Sequence, residues 1–275
     1  MSSCDSRGGR YVKTSDWLTS LGSRYTLAIV WRHYLVWRNL IWSSLASNVI
    51  NPILFLFAFG FGLGAFIDQM NGIEYLAFIV PGMMAYAAMF AASFETTIGA
   101  YSRFSMQHTW DAMLASPVTL FELLWGETLW AGMKALFSGL CVLIVGLWWG
   151  GVPELTGALL AIPIIFLGSL CFAACGLLAT SYARGYEFFS YFFTFWITPM
   201  FVFCGVFFDI ARFPDAVQAV AWALPMTHLI AVVRPIMTGS PIEWVWALVH
   251  VGYVIALTIF AITLAYRQMH KRMFD

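Results

Sequence analysis

Glu95, Glu122, Glu127 and Lys134 stand inside stretches that are otherwise apolar. A charge in hydrocarbon costs at least about 2.5–3.5 kcal/mol by insertion scales, so each of these groups must face protein or water. Glu127 and Lys134 are two helical turns apart with Trp130 between them, which puts all three on one face. Two chemistries fit the polar face of Glu95, Glu127, Trp130 and Lys134: ion pairs joining neighbouring helices, or the lining of a route for a polar solute. A proton relay would call for more carboxylates or histidines at depth. A second constellation is Pro225-Met226-Thr227-His228, then an apolar run to Arg234. It lies in a segment too broken by Pro214, Pro225, Gly239 and Pro241 to cross a bilayer as one helix. Such a chain dips into the membrane and returns, with irregular backbone covered by protein. Pro225, His228 and Arg234 are therefore candidate gate residues at the outer side. If buried, Arg234 needs backbone carbonyls or a carboxylate, of which Asp209, Asp215 and Glu243 are nearest in sequence.

No soluble catalytic centre assembles around these groups. Lys13, Lys134 and Lys271 are the lysines, and none sits in a Gly-x4-Gly-Lys-Ser/Thr phosphate loop, so ATP is not bound here in that manner. Gly60, Gly62 and Gly64 end an apolar span instead of a strand, which suits helix packing. The cysteines, Cys4, Cys141, Cys171, Cys175 and Cys204, lack histidines at ligand spacing and imply neither a disulfide framework nor a metal site. A membrane-embedded glycolipid enzyme would need more than Glu95, Asp111 and Glu122 at one interface. A secondary transporter would show inverted repeats with paired broken helices, and no internal repeat is evident.

The elements that carry these residues follow from composition: 61% hydrophobic, 18% aromatic and 10% charged. That balance predicts an all-α integral membrane protein. Apolar stretches of about 20 residues, the length that crosses hydrocarbon, occur at 44–65, 76–100, 119–147, 157–182, 188–207 and 245–266. Six transmembrane helices put both termini on one side. Of the 14 Lys and Arg, all but Lys134, Arg212 and Arg234 fall on the side of the termini, which places both ends in the cytoplasm. The opening residues lack the apolar core of a cleaved signal, so the first span is expected to direct insertion. Residues 1–23 read as a cytoplasmic tail and 24–43 as an amphipathic interfacial helix. Arg24, Arg32 and Arg38 lie within an arc of ~120°, opposite Tyr25, Ile29, Val36, Leu40 and Ile41. The six-span domain then occupies 44–266, with a re-entrant helical pair before the last span, and 267–275 forms a second cytoplasmic tail.

Between spans two and three, residues 101–118 mix Arg103, Met106, Trp110, Asp111, Met113 and Leu114. An exposed Trp and Met beside charge suit a short helix that docks on another protein, or side chains that dip into the headgroups. Aromatic side chains cover every face of the fifth span, over residues 186–208. They suit lipid contact and dimer packing, or stacking against sugar rings or acyl chains.

In its order of surface helix, six spans, cytoplasmic loop after span two and re-entrant segment, the chain resembles the membrane subunit of type-2 ABC exporters from Arg24 onward. Pro225, Met226, His228 and Arg234 match the end of that family's signature; Ile197, Met200, Cys204, Val206 and Pro214 fit upstream, and Phe203 and Phe213 depart from it. Thr109 to Leu114 with Pro117, Trp31 to Leu40, and Leu224 to His228 are similar to the nodulation protein J group. The resemblance implies a permease homodimer in a bacterial inner membrane and two copies of a separate ATP-binding subunit. ATP and Mg would then bind the partner, with no cofactor on this chain, and neither enzyme activity nor a nucleic-acid partner is expected. It further implies that the loop after span two carries the coupling helix, and that the cargo is a lipid-linked oligosaccharide or glycolipid. A drug-like or other lipid amphiphile is the alternative cargo.

Overall fold

The structure, a computed structural model, describes residues 23–39 and 41–274, with the backbone alone for 43–49. The expected tail up to residue 22, with Arg7, Arg10 and Lys13, lies outside the described residues. What is described is an all-α membrane protein. Helix α1 (Arg24–Asn39) leads to α2 (Ile41–Phe57), which continues as wider π-helical turns over Ala58–Leu63. Strands β1 (Gln69–Met70) and β2 (Ile73–Glu74) then pair antiparallel as a small hairpin. Next come α3 (Tyr75–Met106), the short α4 (Thr109–Leu114), α5 (Leu120–Trp148) and α6 (Leu155–Tyr182). The chain finishes with α7 (Glu187–Phe203), α8 (Asp215–Trp222), α9 (Pro225–Thr238) and α10 (Trp244–Phe274).

Among the described residues, four helices, α3, α5, α6 and α10, are long and apolar enough to cross a membrane. At 1.5 Å per residue each reaches ~40 Å or more, beyond the ~30 Å hydrocarbon core. The pair α8 and α9 would qualify together were it not bent by 87° at its break. Helix α3 is the centre of the bundle, buried around nearly its whole circumference from Tyr75 to Ala92, with α5, α6 and α9 packed on it. Outward, α10 presents Trp244, Val245, Leu248 and Phe260, each more than half exposed. In water such a patch would drive association; lipid tails cover it at no comparable cost.

The helices do not stop where the apolar stretches do. Helix α3 runs past residue 100 to Met106, through π-helical turns at Glu95–Gly99 and Ser102–Met106, so Arg103 and Met106 sit on a helix and not in a loop. Carbonyls loosened by the first of these turns find a donor in α6: Thr180 Oγ1 donates to Thr96 O at 2.7 Å. Helix α10 continues through the expected tail to Phe274 because its last turn has a receptor. Arg272 Nη1 donates to Thr180 O at 3.1 Å and Ser181 O at 3.4 Å, and the guanidinium lies 4.8 Å from the Phe104 ring centroid. A cation there satisfies the orphan carbonyls ending α6 and complements its dipole. Helix α7 ends early, at Phe203, because Gly205 turns the chain with φ +82°, a conformation open to glycine. Its middle also widens into a π-turn at Phe193–Ile197, just ahead of Pro199, which has no N–H to donate; Thr198 Oγ1 donates to Phe193 O at 3.0 Å instead.

The role of Arg272 predicts a local effect. In Arg272→Ala, hydrogen exchange measured by mass spectrometry will quicken in the last turn of α6 and leave residues 165–175 at the wild-type rate. Unchanged protection at that turn would show that α6 does not depend on this cap.

Candidate functional site

At the end of the bundle where α3 meets α5, the intramembrane charges find one another across helices. Lys134 Nζ lies 2.7 Å from Glu95 Oε2. Arg103 reaches back along α3 to Glu95 Oε1 at 2.9 Å and across to Glu127 Oε2 at 2.6 Å, with its Nε 3.1 Å from Glu127 Oε1. Trp110 of α4 donates its indole N–H to Glu127 Oε1 at 3.0 Å. His33 of α1 brings Nε2 to 3.2 Å from the same oxygen and stacks on Trp130, ring centroids 5.7 Å apart. Glu127 is fully buried, and both of its oxygens are engaged. Two carboxylates facing Arg103 and Lys134 leave the cluster neutral when His33 is neutral. With no carboxylate free to shuttle a proton, its capacity is mechanical: it fixes α1, α3, α4 and α5 to a common point.

Several assignments change here. Trp110, expected exposed as a docking residue, is completely buried, because its ring fills the gap beside Phe104 and its N–H finds Glu127. Arg103 belongs to the buried ion cluster and not to a docking surface, since the helix carries it back under the bundle. Met106 and Asp111 remain exposed, Asp111 paired with His108 at 3.1 Å, and Met113 and Leu114 are half-buried. Glu122 has a local role: Thr119 Oγ1 accepts from Glu122 N at 3.2 Å while Glu122 Oε2 accepts from Thr119 N at 2.9 Å. That capping box is legible in Thr119-x-x-Glu122, and Ser23 Oγ adds a donation to Glu122 Oε1 at 2.5 Å. His33 was not among the sequence candidates. The buried face of α1 is Thr26, Ile29 and His33, with Val36 half exposed; Ile29 seats on Gly126, where an added Cβ would come within 2.8 Å of it.

Pro225, His228 and Arg234 lie near the opposite end and do not join this cluster. Pro225 starts α9 at a position where its missing N–H costs nothing, and Gly239 ends it with φ +70°. Arg234 takes backbone carbonyls in place of Asp209, Asp215 or Glu243: Nε donates to Phe78 O at 3.0 Å, and Nη2 to Gly205 O and to Val206 O at 3.5 Å. Its guanidinium also lies 3.7 Å from the Phe78 ring centroid. Gly82 permits this approach, since a Cβ there would stand 3.0 Å from Val206 Cα and O. His228 Nε2 donates to Trp222 O at 2.9 Å, so its Nδ1 is the acceptor for His250 Nδ1–H at 2.8 Å. Tyr253 Oη donates to Ala223 O at 2.7 Å. The carbonyls ending α8 are thus satisfied by α9 and α10, as backbone away from water requires.

Long apolar helices around a neutral buried ion cluster, with a bent helical pair sealed by side-chain donors at the far end, define a multi-pass membrane protein. The chain belongs to the ABC-2 type transporter family, whose pattern matches residues 24–238. It is similar to Nodulation protein J of Rhizobium meliloti (strain 1021), 38% identical over 235 residues that cover 85% of this chain and 87% of that one. Nodulation protein J of Bradyrhizobium diazoefficiens is 36% identical over 239 residues, 86% and 89% of the two chains. A more distant relative is the Inner membrane transport permease YadH of Escherichia coli (strain K12), 25% identical over 192 residues, 70% and 74%. The chain is accordingly a permease subunit and not an enzyme.

Two outcomes test the site. Lys134→Met leaves Glu95 short of a partner and will destabilise the detergent-solubilised chain by about 3–5 kcal/mol; Glu95→Gln with Lys134→Met, which leaves the Arg103 to Glu127 pair intact, will be more stable than Lys134→Met alone in thermal unfolding. Arg234→Lys keeps the charge but loses the fork that spans Phe78 and Gly205. Maleimide labelling of Cys204, fully buried beside that turn, will rise several-fold while Cys171, read by peptide mapping, stays protected.

Proposed function

We propose that the chain is the membrane half of an ATP-driven exporter that moves a lipid-linked oligosaccharide or related glycolipid out across a bacterial inner membrane. Two copies of it would pair with two copies of a separate ATP-binding subunit. In this reading α2 and α7, whose apolar lengths Ile50–Leu63 and Glu187–Phe203 are shorter, join α3, α5, α6 and α10 as six spans. Both ends face the cytoplasm, α1 lies along the membrane surface, and α8 with α9 re-enters from outside as the gate. The similarity to Nodulation protein J, at 38% identity, supports this class of cargo over a drug-like amphiphile, and the aromatic α7 is compatible with it.

The observation that carries the mechanism is the anchoring of α4. A partner that pushes on a short helix moves the bundle only if that helix is held rigidly, and Trp110 on Glu127 holds it. The surface around it, with Met106 at the end of α3, His108 in the turn and Asp111 on α4 all exposed, is left for the ATP-binding subunit. Force applied there reaches α1, α3 and α5 through one carboxylate.

The test is reconstitution with the ATP-binding partner. Met106→Ala combined with Asp111→Ala will keep the wild-type unfolding temperature and weaken docking about tenfold, ~1.4 kcal/mol, with glycolipid-stimulated ATP hydrolysis falling in step. Normal affinity and stimulation in the double variant would remove the α3–α4 corner from the coupling role.

A further inference from the structure

An apolar groove of about 590 Å³ runs between α1 and α5, walled by Leu27, Trp31, Tyr34, Met133 and Phe137. Adjoining it is a polar compartment of about 210 Å³ lined by Arg32, His33, Arg103, Lys134 and Glu95. Trp37, Trp130 and Lys134 line both, so the apolar and the polar space lie side by side. We propose that this crevice binds one anionic bilayer phospholipid, an acyl chain in the groove and the headgroup in the compartment.

Two unsatisfied groups select the anion. Glu95 and Glu127 are matched by Arg103 and Lys134, which leaves Arg32 as the surplus cation; it forms no ion pair among the described residues. The indole N–H of Trp37 is buried without a hydrogen-bond partner among the described residues, at the junction of groove and compartment. A headgroup phosphate supplies both an acceptor for Trp37 and a counter-charge for Arg32; a zwitterionic lipid offers the same phosphate but brings its own cation into a compartment already lined by Arg32, Arg103 and Lys134, so the lipid with net negative charge is favoured. A soluble anion fills the compartment but not the groove, whose volume lies within the ordinary range for a small-molecule site. Basic pockets between membrane helices receive anionic headgroups on these terms. A lipid seated here bridges α1 to α5 beside Glu127 and so stiffens the support of α4. The site does not rest on the cargo assignment.

The test uses the full-length chain purified in mild detergent with equal phosphatidylglycerol and phosphatidylcholine, read by native mass spectrometry. The wild type will retain one phosphatidylglycerol per chain, with about a five- to tenfold preference over phosphatidylcholine. Arg32→Gln will bring the preference near one, and Met133→Trp, which fills the groove, will shed both lipids at an unchanged unfolding temperature. Equal preference in wild type and Arg32→Gln overturns the proposal. So does retention that appears only after deletion of residues 1–22, or a disulfide between two copies of Met133→Cys, since the groove would then belong to the chain's own start or to a second copy.

Discussion

The Glu127 carboxylate, wholly buried in a membrane protein, is the constraint around which one end of the molecule is built. A lone carboxylate in hydrocarbon is expensive enough to be excluded, so every fold of this chain that keeps Glu127 in α5 must bring donors to it. Arg103 arrives because α3 overruns its apolar stretch and Trp110 because α4 folds under the bundle, while His33 comes within 3.2 Å because α1 seats on Gly126. A buried ion pair is weak evidence for stability, because well-packed apolar residues often do as well. Its stronger consequence is register: helices sharing one acceptor cannot slide independently.

The far end obeys the same rule with backbone in place of side-chain charge. The chain turns twice within the bundle there, after α7 and between α8 and α9, and each turn strands carbonyls. Arg234 takes those of Gly205, Val206 and Phe78, while His228 and Tyr253 take those of Trp222 and Ala223. One end is locked by ions, the other by cations and ring donors on carbonyls. Helix α7 lies between them with aromatic packing such as Phe201 on Tyr86, centroids 3.9 Å apart, which is less directional and better able to shift.

Local signals in the sequence were read well where the chemistry is local. Pro225 and Gly239 bracket α9, and Thr119 with Glu122 spells a helix start that the span boundary implied without naming the cap. The failures share one cause. Trp110 read as exposed and Arg103 as a loop cation because both are polar or amphipathic residues beyond an apolar run. Their partner lies 17 and 24 residues away on another helix. His33 is further still from Glu127, and no periodicity within α1 announces an acceptor on α5.

Composition and period alone determined the class, since apolar length is set by bilayer thickness and needs no knowledge of neighbours. They also determined that Glu95, Glu127, Lys134 and Arg234 needed partners, because the cost of a buried charge is a property of the residue. Which partners they took was decided by tertiary structure: how far α3 continued, where Gly126 and Gly82 let backbones close, and how α4 folded back. Those choices depend on distances between helices remote in sequence, and pairwise geometry of that kind is written only in the packed chain.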